Sequence, residues 1–293
     1  NAGSGTIALL ADENITLGQV TTTNTGATAV TLTSTEGGIV DGGDTGGADV
    51  ITAGGRLVID AVTGVGNGAA LETTVASVDI DNATSGNIEI SETNAITVFK
   101  AVQGTAGNIS LAAGGTITVD NAGAGNAIAA AGTGTVTLDA NGAASDLLVN
   151  DGILSVNGAI TLTADNDVIF QADGDIASTA GAISVRADAD NGGTSSGALT
   201  MADGAVINAG SGTIALLADE NITLGQVTTT NTGATAVTLT STEGAIVDGG
   251  NAGGNDIIAG GRLVIDAVTG VGSGGALETT VASVDIDNAT SGN

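Results

Sequence analysis

The stretch "GNISLAAGGTITV", residues 107–119, decides the fold, because apolar residues alternate with small or polar ones twice within it. Its first run places Ser110 between Ile109 and Leu111, and its second run places Thr118 between Ile117 and Val119. Period-two alternation with β-branched residues and nearby glycines is typical of a β-strand with one buried face. The stretch therefore predicts two short strands joined by a turn.

The first run recurs along the chain as a unit of Gly, any residue, apolar, small or polar, apolar, at spacings of 21 to 31 residues. Most units contain a second alternating run and many contain a third, which predicts one winding of a β-solenoid per unit. The eleven inward-facing pairs that this predicts are Ile7/Leu9, Val30/Leu32, Leu57/Ile59, Ile88/Ile90, Ile109/Leu111, Val136/Leu138, Ile160/Leu162, Ile183/Val185, Ile214/Leu216, Val237/Leu239 and Leu263/Ile265.

A longer repeat contains these units. Residues 1–87 return at 208–293 with about seven substitutions and the loss of one residue near Thr52, which gives a period of 207 residues. We therefore expect a single continuous β-solenoid over residues 1–293, with about eleven coils, cut from a longer repeat array. The eleven apolar pairs should stack into two continuous columns.

A meander of hairpins is the main structural alternative, since Asn-Gly and Asp-Gly turns also mark hairpins. A meander gives no reason for similar residues to recur at every third strand, whereas a coil stacks each strand in parallel on its own copy one turn away. We predict an all-β, right-handed parallel β-helix, because parallel crossovers within one sheet are nearly always right-handed.

The amino-acid composition limits the kinds of molecule that this chain can bind. Hydrophobic residues make up 42% of the 293 residues, but Phe occurs only twice and Trp, Tyr, His, Cys and Pro are absent, so the core must be aliphatic. Thirty-two acidic residues against four basic ones give a net charge of -28. Such a charge repels nucleic acids and anionic lipids. We expect no nucleic-acid partner and no membrane insertion, and cations as the favoured charged partners.

Catalysis has few residues available. The absence of His and Cys excludes Ser/His/Asp and Cys/His catalytic arrangements and leaves zinc without its usual ligands. Carboxylate pairs remain, as in β-helical glycoside hydrolases, but such enzymes usually grip sugars with aromatic and basic side chains. We therefore predict no enzyme activity, and no catalytic or cofactor-binding residues.

Calcium is the one metal that the sequence suggests, because it takes oxygen ligands from Asp, Asn and backbone carbonyls in flexible loops. "GNDIIAGG", residues 254–261, resembles one nonapeptide unit of the calcium-binding Gly-Asp-rich toxin repeats, and "GADVITAGG", residues 47–55, is its counterpart in the first copy. The alternative is a polar turn at a corner of the solenoid. The candidate calcium ligands are Asp41, Asp49, Asp248 and Asp256.

The units "GTIALLA" at 5–11, "GNISLAA" at 107–113 and "GAITLTA" at 158–164 resemble the repeats of filamentous-haemagglutinin-like adhesins and related giant bacterial surface proteins. The resemblance implies a right-handed parallel β-helix at the bacterial cell surface or outside the cell, with a role in adhesion or in forming a fibre.

The near-identity of the two long copies favours the fibre. We expect a structural segment of an extracellular fibre or stalk that assembles by end-to-end stacking of coils, with further copies of the same repeat or subunit as partners. The alternative is an adhesin or binding module that presents loops, with or without bound calcium, on the solenoid scaffold.

Overall fold

A computed structural model describes residues 1–43, 47–66, 68–121, 123, 125–190, 197–250 and 254–290. These residues form 33 strands and no helix, and every strand pair is parallel. Within these ranges no helical segment has the length and apolar character needed to cross a membrane. The all-β, parallel, stacked fold predicted from the sequence is confirmed.

One column of strands runs the whole length of the solenoid and forms a 12-stranded sheet. It contains β3 (Val20–Thr21), β6 (Val50–Ile51), β8 (Leu71–Thr74), β10 (Ile88–Glu92), β12 (Ile109–Ala113), β15 (Val136–Ala140), β18 (Ile160–Ala164), β21 (Ile183–Arg186), β24 (Ile214–Ala218), β27 (Val237–Ser241), β30 (Arg262–Ala267) and β33 (Ser283–Asn288).

A 19-stranded sheet forms the remaining walls. Its first turns are single strands, namely β1 (Ile7–Ala11), β4 (Val30–Ser34), β7 (Arg56–Ala61), β9 (Ser77–Asn82) and β11 (Ile96–Gln103). Beyond β11 it divides into two parallel columns of short strands, because the first half of β11 pairs with β13 (Ile117–Val119) and the second half with β14 (Ile128–Ala130).

The β13 column continues through β16 (Leu147–Val149), β19 (Val168–Phe170), β22 (Leu199–Met201), β25 (Ile222–Leu224), β28 (Ala245–Asp248) and β31 (Gly270–Ser273). The β14 column continues through β17 (Ile153–Ser155), β20 (Ile176–Ser178), β23 (Val206–Asn208), β26 (Gln226–Thr229), β29 (Ile257–Ala259) and β32 (Thr279–Thr280). A separate pair, β2 (Ile15–Leu17) and β5 (Ile39–Asp41), completes the first turns. Most turns therefore consist of one longer strand and two shorter ones, whereas β9 with β10 and β11 with β12 form turns of two longer strands.

The structure has twelve turns where the repeat pattern gives about eleven coils, because β33 forms a further turn after the last predicted pair, Leu263/Ile265. In addition, β9 changes which of the predicted units stack on one another. Val78 of β9 pairs with Leu57, so β9 is the strand that lies on β7. Ile88 instead pairs with Val65, in a different column. The 31 residues between Leu57 and Ile88 thus contain one full turn, from β7 to β9, and then a step to the neighbouring wall, where β10 begins. The predicted apolar columns are interrupted at the same point.

This step to the neighbouring wall places the second copy of the long repeat on a different wall from the first. The strands β1, β4 and β7 of the first copy lie in the 19-stranded sheet, whereas their equivalents β24, β27 and β30 lie in the 12-stranded sheet. Successive strand pairs connect β1 to β11 over four turns and β11 to β23 over four more. After β23 the chain passes to the neighbouring wall, where β24 begins. One 207-residue repeat therefore spans eight full turns and the further step from one wall to the next.

The core lies between these walls and is aliphatic. The predicted apolar pairs do point inward: beyond the first turn, each of their side chains is at most 3% exposed. In the first turn, Ile7 and Leu9 are only partly buried. The core also contains one of the two phenylalanines, Phe170, which is the bulkiest of the fully buried side chains. The inward orientation predicted from the alternation is confirmed.

The glycine that precedes many units is required by stacking at one corner. A Cβ added at Gly134, Gly158 or Gly181 would collide with the carbonyl oxygen of the corresponding glycine one turn earlier. Those carbonyls are also hydrogen-bonded, since Ser155 Oγ donates to the Gly134 oxygen at 2.7 Å and Ser178 Oγ to the Gly158 oxygen at 3.0 Å. Side chains are therefore excluded where successive turns approach most closely.

Candidate functional site

Two groups of three carboxylates are the main candidate site, and they occupy equivalent places in the two long copies. The first acidic cluster consists of Asp41, Asp49 and Glu72, and the second of Asp248, Asp256 and Glu278. In each cluster one carboxylate oxygen from every member lies within 4.8 Å of the others. The four predicted aspartates thus fall into two pairs, each joined by a glutamate.

The winding of the chain brings the first acidic cluster together. Asp41 ends β5 and Asp49 immediately precedes β6, while Glu72 lies on β8, which stacks directly on β6. The loop between the two aspartates contains residues 44–46, which lie outside the described part of the chain. The third carboxylate therefore comes from the next turn, 23 residues after Asp49.

Backbone hydrogen bonds fix Asp49 against that next turn. The Asp49 N–H donates to the Glu72 carbonyl at 2.8 Å, and the Glu72 N–H donates to Asp49 Oδ2 at 3.1 Å. Asp41 Oδ1 accepts a hydrogen bond from the Gly43 N–H at 2.7 Å. These contacts hold both aspartates in place while leaving an oxygen of each without a backbone donor.

The second acidic cluster repeats this geometry. The Asp256 N–H donates to the Glu278 carbonyl at 2.9 Å, and the Glu278 N–H donates to Asp256 Oδ2 at 2.8 Å. Asp248 Oδ1 accepts from the Gly250 N–H at 2.7 Å. Because the long repeat shifts by one wall, this cluster lies beside β28 and β29 of the 19-stranded sheet.

The central aspartate of each cluster is buried with an oxygen that accepts no hydrogen bond. Asp49 and Asp256 are both 0% exposed, and Oδ1 of each has no partner among the described residues. Leaving a buried polar group unsatisfied costs about 1–3 kcal/mol, and more when the group is charged. Burial raises the pKa of Asp49 to about 7, with the Asp41 and Glu72 carboxylates adding to the rise. Burial also raises the pKa of Asp256.

No described ion pair compensates these charges. Of the four basic residues, Arg56 pairs with Asp79, Lys100 with Asp81 and Arg262 with Asp285. None of these three aspartates belongs to a cluster. Each cluster is therefore a concentration of negative charge in which no cationic side chain is seen to take part.

The end of the solenoid at β33 is the second feature with functional interest. β33 and β9 have the same sequence, SVDIDN. Val78 and Ile80 of β9 are 0% exposed, whereas Val284 and Ile286 of β33 are 55% and 50% exposed. An apolar hollow of about 490 Å³ opens at this end, with Leu263, Ile265 and Leu277 also in its lining.

The β1 end shows the same contrast. Ile7 and Leu9 are partly buried, but their equivalents Ile214 and Leu216 are each 1% exposed because β21 covers them.

Comparison of the chain with protein-family models, curated proteins and solved structures gives no significant match. The clusters and the two end faces are therefore interpreted from their own geometry.

Proposed function

We propose that this chain is a structural segment of an extracellular bacterial fibre or stalk, in which solenoids stack end to end. In this fibre the β33 face is covered by a further turn of the same repeat, as β11 covers the identical strand β9, whether that turn belongs to the same chain or to a second copy. The observation that carries the proposal is the contrast between Val78 and Val284, the same residue in the same hexapeptide, at 0% and 55% exposure.

The interior of the chain shows what covers such a strand. β9 pairs with β7 on one edge and with β11 on the other, so its apolar side chains are covered on both sides. A parallel strand edge with exposed apolar side chains favours the addition of another strand. Stability in such arrays accumulates from contacts between neighbouring turns, so each added segment lengthens the object without changing its cross-section.

The repeat resemblance supports the proposed location. Units of the type "GAITLTA" at 158–164 are similar to those of filamentous-haemagglutinin-like surface proteins, which favours the bacterial cell surface. The net charge of -28 keeps the sides of neighbouring solenoids apart. Contacts are therefore directed to the apolar ends, where burial of side chains opposes the charge repulsion.

Analytical ultracentrifugation tests this proposal with a matched pair of variants. The double substitution V284D/I286D puts two charges on the β33 face, while S110D/S184D adds the same charge to outward, exposed positions of interior turns. We expect the wild type and S110D/S184D to form concentration-dependent oligomers and V284D/I286D to remain a monomer.

Salt provides a second readout. Because screening weakens charge repulsion beyond about 10 Å at 0.1 M ionic strength, the wild-type oligomers should grow between low and high salt. A wild-type chain that stays monomeric at both salt concentrations would overturn the proposal. Association of V284D/I286D to the same extent as the wild type would also overturn it.

A further inference from the structure

We propose that each acidic cluster binds one divalent cation of the calcium type, held between two successive turns of the solenoid. The site joins Asp41 and Asp49 of one turn to Glu72 of the next, and Asp248 and Asp256 to Glu278. This inference does not rest on end-to-end assembly, because the first cluster lies in the second and third turns, although Glu278 of the second cluster lies in the last turn beside Leu277 of the apolar hollow. It also adds a third ligand to each predicted pair of aspartates.

The buried central aspartate points to a ligand more strongly than the grouping of acids alone. Asp49 has one oxygen bonded to the Glu72 N–H and a second, Oδ1, that is buried without a partner. Asp256 repeats this arrangement with Glu278. Glu72 Oε2 is likewise buried and unpartnered. A cation within the cluster would satisfy these oxygens together.

Glu92 shows how this chain buries a carboxylate that needs no cation. Its Oε2 accepts hydrogen bonds from Thr73 Oγ1 at 2.7 Å and from the Val75 N–H at 3.0 Å, and its Oε1 accepts from the Asn94 N–H at 3.1 Å. Both oxygens are thus satisfied by the protein, and Glu92 belongs to no group of three acidic side chains among the described residues. The clusters differ in both respects, which distinguishes a cation site from a structural carboxylate.

The chemistry of the donors selects the type of cation. All three ligands are carboxylates, which are hard oxygen donors suited to Ca²⁺ or Mg²⁺ rather than to zinc. Ca²⁺ accepts six to eight oxygens at variable angles, whereas Mg²⁺ requires near-octahedral geometry and releases its water reluctantly. A site made from a loop and an adjacent strand, with oxygens up to 4.8 Å apart, suits the more tolerant ion.

The second copy provides an internal comparison. Four of the seven substitutions between the copies, at residues 44, 45, 48 and 50, and the one deletion fall in or just after the loop that joins the two aspartates. The three carboxylates are nevertheless present in both copies, on different walls of the solenoid. The structure therefore predicts two equivalent sites per chain, about eight turns apart.

Isothermal titration calorimetry with CaCl2, in 0.1 M KCl at pH 8, tests the proposal. We expect saturable binding of two ions per wild-type chain, one ion for Asp49→Asn and none for D49N/D256N. The matched control D60N/D266N removes two aspartates that are exposed on equivalent outward positions of β7 and β30. It should retain two sites with affinity within about threefold of the wild type.

A second pair of substitutions guards against misfolding of the aspartate variants. E72Q/E278Q removes the ligand contributed by the next turn, and we expect calcium affinity to fall at least about tenfold. Calcium should also raise the melting temperature of the wild type, by mass action, and not that of D49N/D256N. The absence of saturable heat in the wild type would overturn the proposal, as would unchanged stoichiometry in D49N/D256N.

Discussion

Val78 and Val284 occupy the same position of an identical hexapeptide, yet the first is fully buried and the second is 55% exposed. Val78 pairs with Leu57 on one side and with Val98 on the other. Val284 pairs with Leu263, and no described strand pairs with its other edge. The side chain itself is therefore suited to the interior of a stack, and its environment depends only on whether another turn follows.

This contrast predicts unequal effects of one substitution. Val78→Asp places an unpaired carboxylate in the aliphatic core and should destabilise the chain by roughly 3 kcal/mol or more. Val284→Asp leaves the new carboxylate in contact with solvent, so the monomer should lose little stability. Urea denaturation followed by far-UV circular dichroism measures both. Equal losses of unfolding free energy would mean that the two strands have the same environment in solution.

The glycine corner gives a second matched pair. Gly158→Ala would drive a Cβ into the backbone carbonyl of Gly134, and backbone cannot move aside without disturbing the next turn. Such overpacking costs about 1–3 kcal/mol or more. Gly18 has no atom within 4 Å of an added Cβ, so Gly18→Ala should be tolerated.

Thermal melts of the two alanine variants decide this point. The melting temperature of Gly158→Ala should fall by several degrees, whereas that of Gly18→Ala should stay near the wild-type value. If Gly158→Ala has the same melting temperature as the wild type, the close approach of successive turns at this corner does not require glycine.

The buried carboxylate of Glu92 predicts a dependence of stability on pH. Burial raises the pKa of Glu92 above its ordinary value, so the folded chain holds this proton more tightly than the unfolded chain does. The unfolding free energy contributed by Glu92 is then fully present below the ordinary glutamate pKa of about 4.3 and is lost as pH rises through the folded-state pKa. Glu92→Gln removes this titration.

Denaturation at pH 4 and pH 8 checks the sign. The unfolding free energy of the wild type minus that of Glu92→Gln should be larger at pH 4 than at pH 8. The exposed Glu13→Gln, which removes the same charge, should show a smaller change. A difference between wild type and Glu92→Gln that grows with pH contradicts the environment assigned to Glu92.

The alternation of buried and exposed residues along each strand was predictable from the sequence, but the wall on which each strand lies was not. Both 31-residue intervals look alike in the sequence, yet Ile183 pairs directly with Ile214, whereas Leu57 pairs with Val78 of β9 and Ile88 lies on another wall. β9 lacks a preceding glycine in the repeated position, and it carries Asp79 between its two apolar residues and Asp81 after them. An interval of that length accommodates either a longer loop or an additional strand followed by a step to another wall, and only the strand pairing distinguishes them.

The candidate cation site was predicted in part for a similar reason. Asp41 and Asp49 are close in sequence, so a loop-based pattern finds them, but Glu72 belongs to the next turn. Its contact depends on the register of β6 with β8, which the alternating pattern does not specify. The recurrence of all three acids as Asp248, Asp256 and Glu278 is the sequence signal that relates them.

Electron microscopy of the purified chain across a concentration series tests end-to-end assembly most directly. With strands about 4.8 Å apart, the twelve turns of one chain should measure about 58 Å along the axis. We predict unbranched rods of uniform width whose lengths are multiples of this value and increase with protein and salt concentration. Particles of a single length at every concentration, or side-by-side clusters without lengthening, would contradict the proposed assembly.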